Sequence, residues 1–382
     1  MIPRNRVATC LVRLPLLCVL FVQAAAHAAG QGAAPIMPMA EKSLLLDIST
    51  AGDRLVVAGE RGHVLYSDDN GSNWQQARVP TTQMLTAIHF VDGRHGWAVG
   101  HDGLVLVSDD GGENWRIQRD GLAVQHQINL ELRETAHREI EELKERLERA
   151  DDETQAQLEL ELEDVQLDLE DAELALEEAV FTSPFMDVWF KDVNRGWAVG
   201  AFGTLVATEN GGQHWIGQEK LVDNPDEFHL NAITGDGEGR VFIAGEGGVM
   251  FRSLDDGSNW QSLEPFYEGS WFGVVYSAHN DTLFMFGLRG NLYRSADFGT
   301  TWERVITDNN STLAGGSATH QGEIVLVGGV GTVLTSTDGG QSFRRTMIED
   351  RLSLSAGLSR NGKLILVGQG GVKLSEEAIH EK

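Results

Sequence analysis

The stretch from Gly100 to Trp115, Gly-His-Asp-Gly-Leu-Val-Leu-Val-Ser-Asp-Asp-Gly-Gly-Glu-Asn-Trp, decides how this chain folds. A Gly-x-x-Gly turn leads into a short apolar strand, and Ser-x-Asp-x-Gly-x-x-Trp begins five residues past the second Gly. The frame recurs along the chain. Its first Gly falls at Gly59, Gly100, Gly200, Gly245, Gly287, Gly328 and Gly368. Fifteen residues after each of the first six stands an aromatic: Trp74, Trp115, Trp215, Trp260, Trp302 and Phe343. The seventh aromatic would fall one residue beyond Lys382. A period near 41 residues marks a repeat architecture.

Each unit has the makings of a four-stranded antiparallel blade. In the second, Leu85 to Val91, Trp97 to Val99, Leu104 to Val107 and Trp115 to Gln118 are short runs rich in Val, Leu, Ile and Trp, bounded by Gly, Asp or Asn. The glycines of Gly-x-x-Gly supply the positive φ of a tight hairpin. In the second turn, the Ser and Asp side chains can bond nearby backbone N–H groups, and the Trp folds back into the blade core. The residues assigned to this structural role are Ser67, Asp69 and Trp74; Ser108, Asp110 and Trp115; Trp215; Asp255 and Trp260; Asp297 and Trp302; and Asp338 and Phe343. In the third unit Thr208 and Asn210 replace Ser and Asp with side chains that cap in the same way. Such blades bury both faces only when stacked radially, so the expected fold is all-β, a seven-bladed β-propeller.

Ser-x-Asp-x-Gly-x-x-Trp is the Asp-box, or BNR repeat, and Gly-Trp-Ala-Val-Gly appears at Gly96 to Gly100 and again at Gly196 to Gly200. Together they resemble the photosystem II stability and assembly factor family of seven-bladed propellers, over about residues 36–120 and 182–378. The resemblance implies a helper that binds protein while a membrane complex is assembled or stabilised, with no cofactor. Members of this type in non-photosynthetic bacteria look like partners of resistance-nodulation-division (RND) exporters. A long insertion after the second blade departs from the photosynthetic pattern, so the periplasmic part of such an exporter is the expected partner.

Residues 1–28 have the form of a secretory signal peptide: Arg4, Arg6 and Arg13, an apolar core from Leu14 to Val22, then Ala26-His27-Ala28 as the cleavage site. The apolar run is too short for a comfortable membrane span, and the bulky Leu17 before Cys18 does not suit a lipid anchor. The periplasm is therefore the expected location. Both cysteines, Cys10 and Cys18, lie in this segment, which leaves the mature chain without disulfide or thiol chemistry. With 57 acidic and 30 basic residues the net charge is −27, so the chain lacks the basic footprint that a nucleic-acid partner requires.

Residues 29–42 are expected to close the ring. The seventh unit, about 352–378, has no fourth strand, and Ile36 to Lys42 is the available substitute, which would remove an exposed sheet edge. Blades one and two then occupy 43–120, and blades three to seven 182–382. Between them, over 121–181, the apolar period changes to about 3.5, with no Gly or Pro from Leu122 to Ala179. This predicts an antiparallel α-helical, coiled-coil hairpin. Its seam comprises Ile128, Leu132, Ile140, Leu143 and Leu147 on one arm, and Leu158, Leu162, Val165, Leu169, Ala172, Leu176 and Ala179 on the other. The second arm, Asp151 to Glu178, holds 13 acids and no Lys or Arg. On it Leu160, Leu167 and Leu174 recur at the outward f position, which is normally polar. This ridge either meets a partner or packs on the propeller's own flank.

The Asp-box also occurs in sialidases, so a glycosidase is the alternative reading. That chemistry needs a carboxyl pair, or a Tyr nucleophile with an arginine cluster. Of Tyr66, Tyr267, Tyr276 and Tyr293, only Tyr267 with Glu268 makes a candidate pair, and the Phe-Arg-Ile-Pro signature is absent. Asp68-Asp69-Asn70-Gly71 lacks the alternating ligands and terminal Glu of a calcium loop. No catalytic, cofactor or metal residue is assigned. The interface is expected on the face where the Gly-x-x-Gly turns, the inter-blade links and the hairpin all emerge. Its residues are Arg61, His101, Asp102, Phe202, Leu288, Arg289 and Val330, together with the leucine ridge.

Overall fold

In the second unit the four apolar runs form strands Leu85–Phe90, Gly96–Gly100, Val105–Ser108 and Arg116–Arg119, hydrogen-bonded in that order and antiparallel throughout. The structure, a computed structural model, describes residues 32–178 and 182–375. The expected signal peptide, Ala179 of the expected seam, and the last residues of the seventh unit lie outside the described residues. Among the described residues the same arrangement yields six four-stranded sheets and a seventh of three strands. First strands pack side by side in ring order, from Leu45–Ala51 through Leu85–Phe90 and onward to Leu354–Arg360, which returns to Leu45–Ala51. Second strands such as Gly196–Gly200 are buried end to end because neighbouring blades cover both faces, which is why they read as unbroken apolar runs. Every first strand carries a β-bulge after its opening residue, as between Leu85 and Ala87.

The Gly-x-x-Gly turn works differently from the expectation. Gly100 is extended, with φ −174°, a conformation open to any residue. It is glycine because a Cβ there would strike the carbonyl oxygen of Met84, which already accepts from His101 N at 3.0 Å. The positive φ falls on Asp102 (+57°) and Gly103 (+59°).

The ring does not close by strand exchange. Among the described residues the seventh sheet comprises Leu354–Arg360, Lys363–Gly368 and Gly371–Ser375, and the segment expected to complete it forms a 3-10 turn, Ala40–Lys42, against Gly371. Its upstream residues are bonded to the first blade instead: Ala34 N donates to Val79 O, Gln76 Nε2 to Pro35 O, and Met37 N to Gln76 Oε1. Pro35 and Pro38 have no N–H to offer a ladder, so a strand through them would be poorly paired. Closure follows the repeated contact. Each Asp-box turn packs on the blade before it, as Gly112 does on Val56 and Gly299 on Phe242. Gly71 of the first blade does so on Leu374 and Ile365 of the seventh. Arg360 adds hydrogen bonds to Asn70, Gly52 and Asp53.

The insertion is a hairpin of α1 (Gly121–Leu147) and α2 (Asp152–Glu177), each about 40 Å long at 1.5 Å per residue. Asp120 and Asp151 cap their N-termini, accepting from Ala123 N and Thr154 N. The α2 seam falls as expected from Leu158 to Leu176. In α1 the outer half matches at Ile140, Leu143 and Leu147, but Ile128 and Leu132 are exposed. Asn129 and Ala136 are buried in the seam in their place, and Asn129 Nδ2 donates to Ala175 O at 3.1 Å. That bond lets a polar residue displace its apolar neighbour at the interface.

Candidate functional site: the turn face and the hairpin

The Asp-box turns are structural anchors. Ser108 Oγ donates to Asp110 Oδ1 (2.9 Å) and accepts from Gly112 N (2.9 Å). The Asp110 carboxylate also accepts from Asn114 N (3.0 Å) and Asn114 Nδ2 (2.7 Å), and Trp115 Nε1 donates to Gly112 O. The Ser–Asp bond and the cap on the glycine N–H return at Ser67 and Asp69, Ser253 and Asp255, Ser295 and Asp297, and Ser336 and Asp338. Thr208 and Asn210 form the same pattern in the third blade. Burial opposes ionisation of Asp338, but hydrogen bonds from Ser342, Ser336 and Gln341 outweigh it and hold the carboxyl down at about 2.

A link between blades crosses over the Gly-x-x-Gly turns, so that the turns and links share one face. A Cβ on Gly62 would strike Thr81 O, one on Gly248 Tyr267 O, and one on Gly290 Asn309 O. The hairpin root belongs to the same face, since Gly121 packs directly on Asp102 and Gly103. The expected interface residues therefore surround one surface. Arg61, His101, Phe202, Arg289 and Val330 are exposed, whereas Asp102 and Leu288 are half-buried. Asp102 accepts from Gln83 Nε2. Phe202 stands edge-on to His229 with ring centroids 5.0 Å apart, a pairing the repeat pattern did not reveal.

The third position of each turn is left-handed: φ is +57° at Arg61, +54° at Phe202, +58° at Arg289 and +57° at Val330. Glycine would sit there without strain, as Gly247 does. A β-branched Val held there is an outlier costing about 1 kcal/mol or more. These side chains are thus displayed at the expense of local stability.

Sequence reasoning missed the ring's centre. A channel of about 610 Å³ is lined by first-strand residues, among them Asp47, His89 and Asp187. Asp47 accepts from Ile88 N of the next blade and Asp187 from Ile233 N of the next, both at 2.8 Å. Both residues are half-buried on the channel wall, and desolvation there pushes Asp47 up to about 7 and Asp187 up to about 8, against their backbone hydrogen bonds. Burial likewise takes His89 down to about 4, so its ring is neutral at pH 7. The available signal was an Asp inside an apolar first strand, at Leu45-Leu46-Asp47 and Phe185-Met186-Asp187. Among the described residues no three His, Asp or Glu side chains converge as a metal site.

The tyrosines of the alternative reading have packing roles. Tyr267 lies against Trp271 with centroids 4.9 Å apart, Tyr66 carries the Arg54 guanidinium at 4.4 Å, Tyr293 packs on Phe266, and Tyr276 donates to Asp281.

Residues 67–142 and 168–325 match the sequence profile described as photosynthesis system II assembly factor YCF48. The chain belongs to this family. Within the hairpin the stretch 143–167, its outer part, is unmatched, so the YCF48 pattern covers the blades from the end of the first to the sixth and the hairpin root but not its tip. The chain is 28% identical over 191 residues to the photosystem II assembly lipoprotein Ycf48 of Synechococcus sp. (strain CC9902), covering 48% of this chain and 56% of the relative. It is 28% identical over 195 residues to the photosystem II assembly protein Ycf48 of Thermosynechococcus vestitus, covering 50% and 55%. The chain thus matches little more than half the length of these relatives. Among solved structures it resembles YCF48 bound to D1 peptide, with a TM-score of 0.59 at 15% identity, covering 87% of this chain and 93% of the other. The WD40 propeller domain of Doa1 gives 0.59 at 11% identity, covering 91% and 96%. At such identities these likenesses establish the propeller fold.

Proposed function

We propose that this chain is a non-enzymatic periplasmic propeller that holds part of a membrane protein complex on its turn face and serves its assembly or stability. The observation carrying this reading is the ring of exposed side chains at strained left-handed positions beside the hairpin root. Arg61, His101, Asp102, Phe202, Leu288, Arg289 and Val330 form the contact surface, with Phe202, Val330 and Arg289 as anchors. Membership of a family described as assembly factors supports it, as does the solved YCF48 with a D1 peptide. The signal-like residues 1–28 support the periplasm, and no helix among the described residues is long and apolar enough to cross a membrane. We assign the client to the RND exporters, on the family resemblance and the hairpin that departs from the photosynthetic pattern. The leucine ridge provides a second contact.

The test is co-purification from detergent-solubilised membranes. Wild type recovers an RND inner-membrane protein. Phe202→Ser and Arg289→Glu lose it with unchanged melting temperature. Asp110→Ala, on the opposite turns, costs about 1 kcal/mol of stability through the lost cap and keeps the client. Equal recovery by all of them places the interface elsewhere.

A further inference from the structure

Leu160, Leu167 and Leu174 are 59%, 55% and 53% exposed, so the ridge on α2 does not pack on the propeller. With Leu158, Leu162, Val165, Leu169, Ala172 and Leu176 in the seam, the f row of leucines lies between two other rows of the helix surface. One is Glu163, Glu170 and Glu177; the other is Asp164, Asp171 and Glu178. All six are exposed. An apolar strip about 21 Å long is thus edged on both sides by carboxylates, on a helix with no Lys or Arg.

We propose that this strip docks a basic amphipathic helix of a partner protein. The partner lays an apolar stripe on the three leucines and sets Lys or Arg on both margins against the carboxylates, a helix-on-helix mode in which charge selects the partner. A second copy of this chain does not match. The net charge of −27 opposes self-association, and the exposed apolar residues of α1 (Val124, Ile128 and Leu132) are spaced by four and span about 12 Å. An anionic membrane is repelled by the same carboxylates. The proposal rests on the reading of the chain as a protein-binding factor, but not on the turn face.

Fluorescence anisotropy with labelled synthetic helices of about 21 residues tests it. One probe carries a heptad leucine stripe bordered by Lys, and a second the same stripe bordered by Glu. The purified protein binds the Lys-bordered probe saturably, and binding weakens as salt rises. Leu160→Gln, Leu167→Gln and Leu174→Gln together weaken it by about tenfold or more, which is 1.4 kcal/mol, with unchanged helical circular dichroism. Glu170→Lys with Asp171→Lys shifts preference toward the Glu-bordered probe and keeps the proposal testable should the triple variant unfold. Phe202→Ser binds as wild type does, so failure of the turn-face reading leaves this result intact. The proposal is overturned by equal binding to the triple variant, by equal binding of the two probes, or by no saturable binding of the Lys-bordered one. It is also overturned if sedimentation shows a dimer, or flotation shows binding to phosphatidylcholine vesicles, that the triple variant abolishes.

Discussion

The ring and the hairpin are built to different tolerances. Each blade of the ring is fixed by packing on both faces and by a glycine in backbone contact with the start of its first strand, and the first six each seat an Asp-box turn on the blade before. The hairpin is held by one narrow seam in which α1 buries Asn129, Ala136, Ile140 and Leu143 and α2 buries Leu158 and Ala172. The difference separates scaffold from reach. The ring has little room for change, and the hairpin can vary its outer surface without disturbing what holds it.

Gly100→Val should break this contrast most severely. Its Cβ would occupy the space of the Met84 carbonyl, so a blade must shift, and the loss should exceed about 4 kcal/mol in denaturant unfolding. A stable Gly100→Val protein would mean that the turn adapts as freely as the hairpin surface.

The next effect is a pH dependence confined to the ring. In the unfolded chain Asp47 and Asp187 ionise near the usual carboxylate value, whereas in the channel they ionise only near 7 and 8. Their stabilisation is therefore complete below about pH 4 and is lost as pH rises through 7 and 8. The Asp-box carboxyls run the other way. Asp338, at about 2, stabilises above the usual value and loses that contribution as pH falls toward 2. Between pH 5.5 and 8.5 the melting temperature should fall by several degrees, and the paired variant Asp47→Asn with Asp187→Asn should flatten the slope. An unchanged slope in that variant would assign it to other groups.

The smallest effect belongs to the hairpin. Replacing 124–180 with a short Gly/Ser linker should leave the ring's melting temperature within a few degrees, because the hairpin's contacts with the ring lie at its root. A propeller that fails to fold without it would make the hairpin part of the core.

The repeat was legible because the Asp-box turn needs only its own residues: Ser108, Asp110, Gly112, Asn114 and Trp115 satisfy one another locally, so their spacing carries the structure. The hairpin was legible where its seam is apolar, at Ile140, Leu143 and Leu147. It was misread by one residue where a polar Asn129 found a partner across the seam. The turn face was legible as a set of positions, whereas the Phe202–His229 and Gln83–Asp102 contacts join segments with no shared pattern.

The sequence by itself determined the repeat, the blade, the insertion and the acidic ridge on α2, because periodic apolar residues and local caps act within a few residues of one another. Only the tertiary structure decided how the ring closes, why Gly100 must be glycine, and where Asp47 and Asp187 lie. Each of those depends on a neighbour brought close by the pairing of strands or the circular packing of blades: Leu374 on Gly71, the Met84 carbonyl beside Gly100, and backbone N–H groups of the next blade on each channel carboxyl. Such contacts join residues by distance in the ring and not by spacing along the chain, so no reading of the linear pattern contains them.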